Sequence, residues 1–101
     1  MKFAGVILLA TLSLPAFADY FGCELRVNQR RIDAEAEYHA MDVAVELDGY
    51  RCTAEIVADR WVIMQITAAD GARAVSEGRF FTATGRLENG DDVVTCACGL
   101  R

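Results

Sequence analysis

The stretch from Met41 to Ile56, MDVAVELDGYRCTAEI, decides how this chain folds. Val43, Val45 and Leu47 alternate with polar residues, Asp48-Gly49 is a favoured two-residue hairpin turn, and Tyr50, Cys52, Ala54 and Ile56 alternate on the return. Across such a turn Leu47 meets Tyr50, Val45 meets Cys52 and Val43 meets Ala54, so one face of the hairpin is wholly apolar. The other face sets Glu46 against Arg51, an opposite-charge cross-strand contact that supports the same register.

Working outward, the alternation continues. A three-residue loop at Ala58-Asp59-Arg60 places Val62, Met64 and Ile66 opposite Ile56, Ala54 and Cys52. Further on, Glu88-Asn89-Gly90-Asp91 joins Arg79 to Leu87 with Val93 to Leu100, setting Phe81, Ala83, Gly85 and Leu87 against Val94, Cys96, Cys98 and Leu100. Ala83 and Gly85 are small enough to leave space for sulfur. Towards the start, Phe21, Cys23, Leu25 and Val27 form an apolar set, so Cys23 also points inward.

Two stretches read less sharply. In residues 30 to 41, Ala34, Ala36, Tyr38 and Ala40 suit a strand with a bulge near Ala40, whereas Ile32, Ala36, His39, Ala40 and Val43 suit a helix; the strand is preferred. Residues 69 to 78 read as a loop holding a short helical turn or irregular strand, and a loop of that length is where binding residues often sit. The expected fold is mainly β: a small antiparallel barrel or sandwich of about six strands stapled by disulfides. The alternative is an α+β domain with one short helix at about 31–41 packed on the sheet.

The first eighteen residues read as a cleaved signal peptide. Lys2 supplies the positive start, Val6 to Leu14 the apolar core, and Ala16-Phe17-Ala18 the small-x-small site that signal peptidase cuts, between Ala18 and Asp19. The apolar run is well short of the roughly 20 residues that cross a bilayer, so no membrane span is expected. A lipid anchor on Cys23 is disfavoured, because Tyr20-Phe21-Gly22 is a poor match for the small residues that precede an acylated cysteine. The expected mature product is a single domain, residues 19–101, in the periplasm or secreted. A chain of that size buries only about 60 to 65% of its unfolded surface, which leaves a thin margin of stability.

Cys23, Cys52, Cys96 and Cys98 are an even set in a short exported chain, the usual sign of a disulfide framework. Residues two apart on a strand lie about 6.6 Å from each other, near the upper limit of disulfide geometry, so Cys96 does not pair with Cys98. Two connectivities remain. Cys23 pairs with Cys98 and Cys52 with Cys96, or Cys23 with Cys96 and Cys52 with Cys98; the first is preferred, with no physical argument that separates them. Four sulfurs also suggest a zinc or copper(I) site, but structural zinc usually uses C-x-x-C knuckles and an oxidising compartment removes free thiols. No cofactor and no metal are therefore expected, and thiol redox catalysis lacks its C-x-x-C at a helix start.

Without Lys2, nine arginines and no lysine face fifteen Asp and Glu, a net charge of −6. Nucleic acid is an unsuitable partner, since phosphate binding needs surplus cations, whereas a cationic protein partner fits. No enzymatic role is expected. His39 and Ser76 are the sole histidine and the sole mature serine, in segments whose relative placement the sequence leaves open, and a lone histidine is more often a surface or packing residue. Asp91-Asp92 after Asn89-Gly90 lacks the spaced ligands of a calcium loop and is better explained as a turn.

Strand parity also projects Val57, Trp61 and Ile63 onto a second face, which Phe80 and Val93 join if their strands are neighbours. Either residues 30 to 41 or another strand layer covers that face, or it is an exposed aromatic patch that marks a partner surface with Trp61 as anchor. In outline, a short exported acidic β-domain with terminal cysteines resembles the small periplasmic lysozyme inhibitors, whose targets are cationic. The likeness covers size, export and architecture, and no motif residue is matched. The residues themselves read as a binding protein that recognises another macromolecule through Trp61 and the 69 to 78 loop, and the likeness implies that its target is a cationic hydrolase such as lysozyme, which it inhibits. The alternative is a structural or accessory component of an envelope complex.

Overall fold

The computed structural model describes residues 20–37 and 42–101. The leader 1–18, its cleavage point between Ala18 and Asp19, Tyr38, His39 and the bulge near Ala40 lie outside the described residues. Among the described residues the chain forms eight strands: β1 (Tyr20–Val27), β2 (Arg30–Glu37), β3 (Asp42–Leu47), β4 (Tyr50–Val57), β5 (Trp61–Ala68), β6 (Arg73–Gly78), β7 (Ala83–Asn89) and β8 (Asp92–Leu100). A 3-10 turn, Ala58–Arg60, links β4 to β5.

The strands make two four-stranded antiparallel sheets. Sheet I has the order β2-β1-β8-β7 and sheet II the order β3-β4-β5-β6. The chain runs up and down, its first described strand hydrogen-bonded to its last, with the ladder interrupted between β2 and β3 and between β6 and β7. The fold is therefore an up-and-down meander arranged as a two-sheet sandwich. In the central hairpin the pairs are Leu47 with Tyr50, Val45 with Cys52 and Val43 with Ala54, as the alternation requires. Asp48 and Gly49 both have positive φ, 53° and 85°, the mirror-image turn whose twist matches that of the strands it joins.

Inward side chains from both sheets interdigitate. Phe21, Leu25, Val62, Met64, Ile66 and Val94 are almost wholly buried, and among the described residues no polar or charged residue is buried with them. Each fully buried aliphatic side chain contributes about 1.5–3 kcal/mol of transfer free energy.

Eight strands replace the expected six because the two ambiguous stretches are both strands. All eight residues of β2 pair with β1, so residues 30–37 are not helical. The helix preference of Ala and Glu is worth only tenths of a kcal/mol per residue, and it yields to an edge of β1 that needs a ladder partner. Nor does β2 cover Trp61, since it belongs to the other sheet. Residues 73–78 form edge strand β6, whose inward residues Ala74 and Ser76 are too small to show an apolar alternation. One expectation about sulfur is also corrected: the space at Gly85 is taken by the Met64 methyl group, which a Cβ there would strike.

Both disulfides form in the preferred connectivity. Cys23–Cys98 joins directly opposed residues of β1 and β8 within sheet I, whereas Cys52–Cys96 crosses the core from sheet II to sheet I. Their sequence separations are 75 and 44 residues, and loop closure on that scale is worth about 4 kcal/mol each.

Candidate functional site

The two ends of the sandwich carry different chemistry. The turns at 28–29, 48–49, 69–72 and 90–91 gather at one end, hereafter the polar end. The Tyr50 ring is buried and its hydroxyl donates to Asp92 Oδ2 at 2.7 Å, while Asn89 Nδ2 donates to the Tyr50 oxygen at 3.3 Å. Asn28 donates to Asp92 Oδ1 and accepts the Val93 N–H. Asp70 accepts from the Ala72 N–H and from Asn89. The ion pair Arg30–Asp48, 2.8 Å, completes the cluster.

These bonds move three pKa values. The hydrogen bond to Asp92 holds the Tyr50 hydroxyl above its ordinary value, with burial adding to the effect. The Tyr50 and Asn28 donors lower Asp92, and the Ala72 N–H and Asn89 lower Asp70. Each carboxylate in the set is already engaged by a donor of this chain, so the cluster works as a clasp between the sheets.

The sequence-derived candidates lie elsewhere, on the outer face of sheet II. Alternation sends Val57, Trp61 and Ile63 outward; Val57 pairs with Trp61, and Ile63 sits between Glu55 on β4 and Glu77 on β6. Asp42 extends that row across β3, opposite Glu55. Trp61 and Val57 are half-buried, Ile63 is 39% exposed, and Phe80, in the turn after β6, is 70% exposed. Arg79 lays its guanidinium 5.1 Å from the Trp61 ring centre, and Arg60, Trp61, Arg79 and Phe80 line a hollow of about 270 Å³. A second hollow, of about 620 Å³, is lined by Asp42, Glu55, Ile63 and Gln65 of this face together with Glu35 of β2 and neighbouring residues.

The structure thus brings Val57, Trp61, Ile63 and Phe80 together. It separates two other proposed members. Val93 belongs to β8 of sheet I, and the remaining 69–72 loop closes the polar end, at the far end of β5 from Trp61. Sequence reading missed Val75, outward on β6 and 55% exposed, because residues 69 to 78 showed no apolar period; it also missed the carboxylate row, which only register assembles.

Backbone strain concentrates beside Trp61. Arg60, Phe80 and Phe81 have φ of 65°, 58° and 64°, in the left-handed region that bulky residues rarely adopt, and the Phe81 N–H donates to the Arg60 carbonyl. The two turns are thereby tied together.

Charge pairing distinguishes this face from its counterpart. On the outer face of sheet I, Glu24 pairs with Arg26 and Arg31, Arg86 with Glu88, and Arg101 with Asp33 and Glu35. On sheet II, Glu46 pairs with Arg51 near the polar end. Towards Trp61, Asp42, Glu55 and Glu77 make no ion pair among the described residues, and neither do Arg60 and Arg79.

The cysteines offer no such opening. Their four sulfurs lie within 4.8 Å of one another, close enough for a tetrathiolate site, but each is bonded to another sulfur and presents no thiolate. Ser76 donates its hydroxyl to the Thr84 carbonyl, bridging β6 and β7. Among the described residues no helix is long and apolar enough to cross a membrane. No protein-family model, curated protein or solved structure matches the chain.

Proposed function

We propose that this chain is an exported, disulfide-stabilised binding protein without catalytic activity, and that its partner is a basic protein of the class of cationic hydrolases such as lysozyme. Export rests on the leader and on two disulfides suited to an oxidising compartment. The observation that carries the partner class is the row Asp42, Glu55 and Glu77, three carboxylates without ion pairs among the described residues, set around exposed Ile63. A lysine or arginine of the partner supplies the missing counter-charge, and the net negative charge of the chain draws a basic protein towards it. Ile63 and Trp61 supply the apolar contact.

Lysis of peptidoglycan by a basic lysozyme, measured with and without the oxidised protein, tests this. Inhibition is expected, weakening as salt rises, and the Glu55→Gln/Glu77→Gln variant is expected to inhibit on the order of tenfold less well. No inhibition across a panel of basic hydrolases rejects the hydrolase target. Co-purification with one fixed envelope protein assigns the chain instead to an accessory role.

A further inference from the structure

The same face carries a second pattern that a basic partner leaves unused. Arg60 and Arg79 stand at the Trp61 end, and the Asp42, Glu55 and Glu77 row lies one step inward, about 6.6 Å along the strands. None of the five makes an ion pair among the described residues. Between and beside the two groups lie Trp61, Ile63 and Phe80, with Val57 and Val75 flanking. A basic partner answers only the carboxylates, and an acidic one answers only the arginines.

We propose that this face docks a second copy of the chain. A two-fold axis through the Trp61–Ile63 region reverses the order of the rows, so the arginines of each copy meet the carboxylates of the other and the apolar residues meet at the centre. A patch satisfies itself in this way only when opposite charges flank the axis, which is the condition for an isologous dimer. The outer face of sheet I fails that condition, because its charges neutralise one another within the sheet. The cation–π contact of Arg79 with Trp61 leaves guanidinium N–H donors free for a carboxylate across the interface. A second copy and a basic protein use the same carboxylates and therefore exclude each other.

The pairing is tested on the oxidised chain alone, by sedimentation or light scattering, so its failure leaves the basic-partner proposal standing. A dimer that dissociates as salt rises is expected. Glu77→Arg alone and Arg79→Glu alone each place like charges across the axis and are expected to be monomeric, with circular dichroism confirming that both remain folded. An equimolar mixture of the two variants restores both contacts and is expected to form heterodimers, and Glu77→Arg/Arg79→Glu in one chain is expected to dimerise again. The proposal is overturned by a wild-type chain that stays monomeric at about 1 mM, by a dimer indifferent to both single reversals, or by a mixture that remains monomeric.

Discussion

The polar end and the Trp61 end close the same two sheets by opposite means. At the polar end the positive-φ positions are Asn28, Asp48, Gly49, Gly71 and Gly90, residue types that accept that backbone readily, and Tyr50, Asp92, Asn89, Asn28 and Asp70 engage one another. At the Trp61 end the same region of φ is occupied by Arg60, Phe80 and Phe81, and nearby charges have no ion-pair partner among the described residues. One end is consistent at every level from residue type to hydrogen bond. The other spends stability to hold an aromatic and several charges outward, as functional surfaces commonly do.

That contrast presumes a middle rigid enough to keep the two ends independent, and the largest effect is expected there. Replacing Cys52 and Cys96 together by Ala removes the one covalent link across the core and is expected to cost about 4 kcal/mol, read as a lower urea midpoint. A loss below about 1 kcal/mol breaks the loop-closure account.

Next in size is Tyr50→Phe, which removes the hydroxyl between Asp92 and Asn89. It is expected to lower the urea midpoint by less than the disulfide variant, and an unchanged midpoint makes the clasp incidental. The same end sets the response to acid. Asp92 and Asp70 have pKa values lowered from the ordinary 3.8, so their stabilisation is complete above 3.8 and is lost as pH falls through the lowered values. Tyr50, raised from 10.0, contributes below 10.0 and loses that contribution as pH rises through its raised value. In urea midpoints measured against pH, Asp92→Asn is expected to flatten the acid limb.

Phe80→Gly sharpens the contrast from the other side. The ring is 70% exposed and its backbone is left-handed, so glycine is expected to raise stability by about 0.5–1 kcal/mol while reducing partner binding. A destabilised variant with unchanged binding removes the claim that strain there serves an outward surface. The smallest effect belongs to Glu55→Gln/Glu77→Gln. With no ion pairs to lose among the described residues, the variant is expected to leave the urea midpoint unchanged, and a clear fall shows that those carboxylates support the fold.

Legibility in the sequence tracked how much of each signal was local. The Asp48-Gly49 hairpin was readable because turn chemistry, alternation and the Glu46–Arg51 contact all agree within sixteen residues. Residues 30–37, for which the strand is the preferred reading, and 73–78 are less legible, since β2 and β6 are edge strands whose inward positions are mostly small, Ala34 and Ala36 beside Ile32 in β2 and Ala74 and Ser76 in β6, and their partners more than their patterns fix them as strands. Among the candidate residues, Val57, Trp61 and Ile63 followed from parity alone. The meeting of Phe80 with Trp61 required the turn after β6 to fold back on the 58–60 turn, and the separation of Val93 required the assignment of β8 to the other sheet.

The sequence by itself determined the strand periodicity and the inward direction of all four cysteines, because side-chain alternation is a property of a single strand. Tertiary structure decided the rest. Only the closure of β1 on β8 sets Cys23 against Cys98, and only the packing of sheet II on sheet I brings Cys52 to Cys96. The carboxylate row and its neighbouring arginines likewise come from β3, β4, β5 and β6 and the two turns beside them, brought together by register between strands that no single strand encodes.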